Sequence, residues 1–285
     1  MFESPSQILR RHGLRAKHSW GQNFLGDEGA LERIAAAAEL KPGEPVVEIG
    51  PGLGHLTRFL LATGAEVTAV ERERDVAAVL RKEIAHPRLR VLEANAVQVD
   101  FAEVAGAHRV AVVGNIPYHL TSPILFRVLE QRSKLSRVVL TIQKEVADRL
   151  TAEPGSREYG LLTVVLALYF EVRALFDLPA ALFHPPPKVD SSVVRLRTRE
   201  APLVEIDSEV RFVRVVKAGF AQRRKTLFNS LKSDKGLAGA EQIHSALGRA
   251  GIDGNRRAET LHVTEFAALE RALAAATQSE PPPAP

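Results

Sequence analysis

The sequence contains no cysteine, a single methionine and a single tryptophan. The lack of cysteine excludes disulfides, thiolate metal sites and thiol catalysis, and it fits a reducing cytoplasm, where we expect the protein to act. Long apolar runs are also missing: the longest, residues 161–170, is far shorter than the ~20 residues of a membrane span, so we expect no membrane association. The arginine-rich start has no apolar core, which argues against a secretory signal.

The residues that are present have the composition of a globular protein, with 45% hydrophobic and 25% charged residues. A length of 285 residues fits one large domain, or one ordinary domain and a smaller one. The net charge of +4 is unevenly spread: residues 1–25 carry four Lys/Arg against one acid, and residues 207–260 carry eleven against six. Two basic ends are typical of a protein that binds a polyanion, although on charge alone a solvated basic surface is an equal alternative.

Hydrophobic patterning predicts an α/β fold with a mostly parallel sheet, because runs rich in Val and Ile alternate with helical stretches. Strands are predicted at 45–50, 65–71, 89–95, 109–115 and 137–142, with 171–178 and 191–198 as a closing antiparallel pair. Helices are predicted at 55–63, 75–85, 159–168, 209–221, 224–232, 241–250 and 264–275. We therefore predict an α/β domain over residues 1–200, an all-helical domain over 201–276 and a disordered tail over 277–285.

A glycine-rich turn, 48–54 (EIGPGLG), follows the first predicted strand and opens a helix. Glycines let the backbone approach a ligand closely, and a helix start offers free N–H donors. Glu71 ends the next strand, where a carboxylate can accept bonds from ribose hydroxyls. A dinucleotide-binding turn would have a third glycine where this chain has His55. Alternate glycines after an acid instead indicate S-adenosylmethionine, with a tight turn that binds no ligand as the alternative.

A second motif, 115–118 (NIPY), follows the fourth predicted strand, at the sheet edge where doubly wound folds bind ligands. Adenine N6 is a poor nucleophile because its lone pair is delocalised, and acceptors facing both of its hydrogens favour the pyramidal geometry needed for attack. Asn115 Oδ1 and the Ile116 carbonyl can supply these acceptors. Pro117 can fix the backbone, and Tyr118 can stack on the base. Such chemistry depends on positioning and electrostatics rather than on a strong base. An ordinary Asn/Pro turn is the alternative.

Three further segments extend these motifs: 21–25 (GQNFL), 183–191 (FHPPPKVDS) and 222–227 (QRRKTL). With them, over about residues 17–232, the chain resembles the ribosomal RNA adenine N6-dimethyltransferases, especially the KsgA-type enzymes that modify two adjacent adenines near the 3′ end of 16S RNA. The resemblance implies a Rossmann-like, seven-stranded S-adenosylmethionine-dependent methyltransferase fold. It also implies a monomer that acts on 16S rRNA in the small ribosomal subunit or its precursor.

The resemblance further implies roles for individual residues. Expected cofactor-binding residues are Gln22, Asn23, Leu25, Glu48, Gly50, Gly52, Gly54, Glu71, Asn95 and Asn115. Expected members of the catalytic pocket are Asn115, Ile116, Pro117, Tyr118 and Phe183, with Phe183 facing Tyr118 across a flipped adenine. The chain departs from the family at Asn95, where aspartate is usual, but the Asn95 oxygen can still accept a bond from the cofactor's adenine amine. No metal site is expected.

Arg223, Arg224 and Lys225 are predicted to lie on one helical turn and to contact RNA phosphates, with a solvated face as the alternative. Two other functions remain open. One is a non-catalytic nucleic-acid-binding factor on the same fold, against which the intact 48–54 and 115–118 motifs argue. The other is a 23S rRNA methyltransferase of the erythromycin-resistance type, a group that lacks the Arg-Arg-Lys-Thr-Leu run.

Overall fold

The computed structural model describes residues 3–17 and 21–278. The chain divides into two compact units, of which the first comprises residues up to 147 together with 171–198, and the second comprises 148–170 and the residues from 199 onwards. The predicted boundary at residue 200 lies within two residues of the division after Thr198, but residues 148–170, which were expected in the α/β domain, belong to the helical unit.

Nine strands form two sheets among the described residues. They are β1 (Phe24–Leu25), β2 (Pro45–Ile49), β3 (Glu66–Glu71), β4 (Leu89–Glu93), β5 (Val110–Asn115), β6 (Leu135–Gln143), β7 (Phe170–Leu178), β8 (Phe183–His184) and β9 (Ser191–Thr198). Seven of them form one sheet in the order β4-β3-β2-β5-β6-β9-β7, and β1 pairs with β8. Strands β2 to β6 are parallel, and β9 is antiparallel to β6. The predicted seven-stranded α/β fold is confirmed.

The central strands are apolar because they are buried on both faces of the sheet. Val46 and Val47 of β2, and Val112 and Val113 of β5, have no exposed surface. The first unit also contains α1 (Pro5–Arg11), α2 (Glu28–Ala37), α3 (His55–Ala62), α4 (Arg74–Glu83), α5 (Phe101–Ala105) and α6 (Thr121–Glu130), and α7 (Lys144–Leu150) runs across the boundary between the units.

The second unit is built from α8 (Leu161–Tyr169), α9 (Glu209–Phe220), α10 (Leu227–Lys232), α11 (Ala240–Arg249) and α12 (Val263–Gln278). Its core contains the fully buried side chains of Phe212, Leu227, Ile243 and Phe266. The apolar helix α8 packs on α9 and α12, which is why residues 148–170 belong here.

Two local predictions need correction in this unit. Helix α10 begins at Leu227 rather than at residue 224, because Thr226 caps it by accepting a hydrogen bond from the Asn229 N–H. The predicted tail also begins too early, since α12 continues to Gln278. The rest of that tail, 279–285, lies outside the described residues.

Candidate active site

A cleft of ≈ 840 Å³ opens where the carboxyl ends of β2, β3, β4 and β5 meet. Strand β2 is flanked by β3 on one side and by β5 on the other, so the cleft lies at the point where strand order reverses, the usual ligand site of doubly wound sheets. The predicted site residues that line it are Gln22, Asn23, Gly50, Glu71, Asn95, Asn115, Ile116, Pro117, Tyr118 and Phe183.

Four predicted cofactor residues, Leu25, Glu48, Gly52 and Gly54, do not line this cleft. Leu25 is a core residue with 3% of its surface exposed. Gly54 precedes α3 with φ of 86°, and a Cβ there would come within 2.6 Å of the Leu80 and Ile84 side chains. Glu48, Gly52 and Gly54 therefore belong to the turn behind the cleft, and Leu25 packs in the core beside it.

Eight other lining residues were not named as site residues, although the first two belong to the quoted motifs: Gly21, Ile49, Val70, Arg72, Ala94, Ala96, His119 and Leu120. Each lies within two positions of a predicted site residue, so its place next to that residue in the sequence was the one feature that could have predicted it. Most are small or apolar types that carry no chemical signature of their own.

Glu71 ends β3 with both carboxylate oxygens held by backbone donors. Its Oε1 accepts from the Glu73 N–H at 2.8 Å, and its Oε2 accepts from the Gly52 N–H at 3.3 Å. Burial raises the pKa of Glu71 above its ordinary value, and these N–H donors offset part of the shift. Each oxygen keeps lone-pair capacity for a further donor, so the side chain can accept from two ligand hydroxyls.

Glu48 lies on β2 with only 1% of its surface exposed. Burial raises the pKa of its carboxyl to about 8, and the nearby Glu71 charge acts in the same direction. Thr57 Oγ1 donates to Glu48 Oε2 at 2.6 Å. The Glu48 side chain thus links β2 to α3 beneath the glycine-rich turn.

Asn115 ends β5, and its amide is oriented by a partner far away in the sequence. Its Nδ2 donates to the Asn23 carbonyl at 3.2 Å. This bond joins the segment around Asn23 to the NIPY motif and commits the amide nitrogen, which leaves Oδ1 to act as an acceptor.

Two aromatic residues of the cleft are anchored from behind. The Tyr118 hydroxyl lies 2.9 Å from Oγ of Ser191, a fully buried residue of β9, and burial raises the pKa of Tyr118. Phe183 is 4% exposed and pairs in register with Leu25 of the small sheet. Both rings are therefore fixed at the cleft before a ligand arrives, although their predicted face-to-face placement around an adenine stays a prediction.

Glu73 attaches the basic N-terminal segment to the site. This carboxylate is 7% exposed, forms an ion pair with Lys17 and accepts a hydrogen bond from Gln22 Nε2. Sequence reasoning missed Glu73, because its partners lie more than fifty positions away. Asn95, at the other side of the cleft, accepts a bond from the Val97 N–H at 3.2 Å through Oδ1.

The Arg223–Lys225 cluster lies in a turn between α9 and α10, so the three side chains do not share a helical turn. Arg223 donates to the carbonyls of Arg157 and Tyr159, at 2.7 and 3.3 Å, within the second unit. Arg224 and Lys225 are exposed, and the described residues provide no salt-bridge partner for either.

Within residues 3–17 and 21–278, no group of three His, Asp or Glu side chains is arranged to hold a metal ion. None of the helices in this part of the chain has the length and apolarity needed to cross a bilayer.

Comparison with known proteins identifies a methyltransferase family and close relatives of this chain. The family described as ribosomal RNA adenine dimethylase matches residues 13–275. Ribosomal RNA small subunit methyltransferase A of Myxococcus xanthus is 64% identical over 283 residues, which cover 99% of this chain and 100% of the relative. The protein of the same name from Anaeromyxobacter dehalogenans is 50% identical over 282 residues, covering 95% of this chain and 98% of the relative.

Two solved structures have the same architecture. The 23S rRNA methyltransferase ErmE superposes with a TM-score of 0.71 at 32% identity, covering 88% of this chain and 100% of that chain. A dimethyladenosine transferase from Plasmodium falciparum superposes with a TM-score of 0.78 at 24% identity, covering 89% and 98%. Since the family match and the 64% identical relative each span nearly the whole chain, this protein belongs to the ribosomal RNA adenine dimethylase family.

Proposed function

We propose that this S-adenosylmethionine-dependent enzyme transfers methyl groups to N6 of two adjacent adenines near the 3′ end of 16S rRNA, giving N6,N6-dimethyladenine during small-subunit assembly. The observation that carries the proposal is the oriented amide of Asn115, which presents an acceptor at the cleft formed by the strand ends. The name of the 64% identical relative, a small subunit methyltransferase, supports the choice of RNA.

The cleft residues fit S-adenosylmethionine, which supplies an electrophilic methyl group when it is bound. Glu71 offers two carboxylate oxygens for ribose hydroxyls, and Asn95 offers an amide for the adenine amine. Gly50 has φ of 65°, a conformation that side chains disfavour, and it lets the backbone of the turn line the cleft. Asn23, which is expected at the methionine end of the cofactor, lines the same cleft together with Gln22.

Asn115 Oδ1 and the Ile116 carbonyl accept the two N6 hydrogens of the target adenine and so hold the amine in a pyramidal geometry. The hydrogen bond to Oδ1 strengthens as positive charge develops on N6, which favours the transition state over the ground state. The N6 proton becomes acidic only at that stage, and it is released to water without a strong base. Pro117 keeps the Ile116 backbone in place.

A paired adenine cannot enter this cleft, so the base must leave its stack at a cost of a few kcal/mol. Stacking on an aromatic ring returns about 1–3 kcal/mol per base. Tyr118 and Phe183 supply the rings. Anchoring of the Tyr118 hydroxyl by Ser191 keeps that ring from having to be ordered when RNA binds.

We expect the enzyme to act as a monomer in the cytoplasm, with Arg224 and Lys225 contacting RNA phosphates. Arg223 is a weaker candidate for phosphate contact, since its guanidinium already donates to two carbonyls.

The two other functions are less well supported. A non-catalytic RNA-binding factor does not require the Asn115 amide to be oriented by the Asn23 carbonyl with its Oδ1 available as an acceptor. The 23S enzyme ErmE shares half the identity that the Myxococcus protein does, 32% against 64%.

The proposal is tested by incubating the protein with methyl-labelled cofactor and small ribosomal subunits that lack the modification, followed by mass spectrometry of the digested RNA. We expect dimethyladenine in 16S rRNA, with monomethyladenine seen transiently. Asn115→Ala should abolish most of the labelling, because it removes the acceptor that faces N6, whereas Tyr118→Ala should reduce turnover while it preserves cofactor affinity. A stable monomethyl product, label on cytosine or on ribose, or label only on 23S rRNA would contradict the proposal.

A further inference from the structure

The second unit contains a groove of ≈ 750 Å³ that is separate from the cleft described above. Helices α10 and α11 and the loop 252–255 line it. Leu247 and Ile252 are buried and form its apolar floor, while His244 and Asn255 are exposed at its rim.

An aromatic pair forms one wall of this groove. The rings of Phe228 and His244 meet edge to face, with centroids 6.3 Å apart and an interplanar angle of 88°. Phe228 is half-buried, and its backbone N–H donates to the Gly254 carbonyl at 3.1 Å, which ties α10 to the opposite wall. Because the two rings are nearly perpendicular, a planar ligand can stack on the face of one ring and contact the edge of the other.

Positive charge surrounds this wall. Lys232 Nζ lies 6.0 Å from the centroid of the Phe228 ring, and Lys225 immediately precedes Thr226, which lines the groove. Elsewhere in the same unit, three arginines are paired with carboxylates: Arg211 with Glu270, Arg214 with Asp234, and Arg256 with Glu265. In the described part of the chain, neither Lys225 nor Lys232 has a salt-bridge partner, so both are available to a polyanion.

The groove also contains one acid, Asp253. Its Oδ1 accepts from the Asn255 N–H at 2.9 Å, which directs that oxygen into its own loop. Asn229 and Asn255 add exposed amides that can pair with the edges of a base. Aromatic faces, unneutralised lysines and amides are the combination by which proteins bind unpaired nucleotides.

We propose that this groove is a binding site for an unpaired nucleotide of the RNA substrate, with the base against Phe228 and His244 and the adjoining phosphates near Lys225 and Lys232. The inference rests on the proposed function, because it takes RNA to be the ligand. The nucleotide bound here is distinct from the methylated adenine, whose pocket belongs to the other structural unit.

The test measures binding of fluorescently labelled unmethylated small subunits to wild type, Phe228→Leu and His244→Ala at several salt concentrations. Each change should weaken binding about five- to tenfold, because a stacking surface is lost. The log–log salt dependence should stay the same, because neither change alters a phosphate contact. His262→Ala, which removes an exposed histidine of the same unit outside the groove, is the matched control and should bind as wild type.

Ultraviolet crosslinking is measured on the wild-type protein and therefore does not depend on whether a variant folds. The tryptic peptide that contains Phe228 should carry a nucleotide adduct. Wild-type affinity in both groove variants, an equal loss in His262→Ala, or no adduct on this peptide would overturn the proposal. His244→Ala keeps the test decisive if Phe228→Leu unfolds, since His244 is exposed. Failure of the wild-type protein to bind or methylate small subunits would instead contradict the proposed function.

Discussion

Replacement of Glu71 by alanine gives the sharpest test of the proposed cofactor site. Both Glu71 oxygens already accept a backbone N–H, from Gly52 and Glu73, and each retains capacity for one ribose hydroxyl. Loss of these hydrogen bonds to a charged acceptor should cost about 1.5–3 kcal/mol of cofactor affinity. That corresponds to an increase in Kd of roughly ten- to 150-fold.

Isothermal titration calorimetry with S-adenosylmethionine measures this loss directly. Glu66→Ala is the matched control, because Glu66 begins the same strand at its exposed end. Glu71→Gln separates charge from shape, since the amide can no longer accept from both backbone N–H groups. Thermal unfolding should be recorded for each variant, because Glu71→Ala also leaves the Gly52 N–H without its acceptor.

The pH dependence of binding provides a second check on the same residue. Burial raises the pKa of Glu71, so its carboxylate takes up a proton at a higher pH than an exposed glutamate would. Wild-type affinity should therefore fall as the pH is lowered through that raised pKa, and Glu71→Gln should lack this fall. Unchanged affinity in a folded Glu71→Ala protein would remove Glu71 from the site and refute the reasoning.

Three further predictions concern Asn95, Glu48 and the basic turn. Asn95→Asp should bind the cofactor equally well or more tightly in calorimetry, because aspartate can keep the bond from the backbone N–H two residues on; a clear loss would mean that the site differs here from its relatives. The folded pKa of Glu48, about 8, lies above its ordinary value of 4.5, so the wild type should lose stability as pH rises from about 4.5 to 8. Glu48→Gln should not show this loss. In denaturant unfolding, its free energy of unfolding should exceed that of the wild type by the order of a few kcal/mol at pH 9. Parallel curves of unfolding free energy against pH for the two proteins would contradict this prediction. Neutralising Arg224 and Lys225 together should lower the slope of log Kd against log salt concentration for RNA binding by up to about 2 units, while cofactor affinity stays constant. An unaltered slope would support the alternative that both residues belong to a solvated surface.

Much of the sheet could be predicted because its strands are short, rich in valine and bounded by turns. The ends of these strands also predicted the cleft: in a parallel sheet the carboxyl ends meet at one edge, so Glu71, Asn95 and Asn115 had to be neighbours. The β1–β8 pair could not be predicted from the sequence, since two-residue strands have no hydrophobic periodicity and the partners Leu25 and Phe183 are far apart in the chain.

The errors in the helical unit have two different causes. Residues 148–170 were assigned to the wrong domain because the apolar pattern of α8 predicts a buried helix without indicating what buries it. The start of α10 was mistaken although a cue was present: Thr226 directly before an apolar residue is a strong capping signal, and it excludes Arg224 and Lys225 from the helix.

The bond between Asn115 and Asn23 gives a reason why the proposed chemistry would use an amide rather than a carboxylate at the end of β5. An aspartate would be the stronger acceptor for a developing cation on N6, yet it has no donor for the Asn23 carbonyl and would place two oxygens against each other. In the proposed mechanism the amide divides the two tasks between its atoms: Nδ2 fixes the orientation, and Oδ1 would accept from the substrate. Because N6 becomes acidic only as the methyl is transferred, the weaker acceptor is sufficient, and the reaction depends on where Oδ1 is held. Residues 21–25, which carry no charged group, are thereby linked to Asn115 through the backbone carbonyl of Asn23.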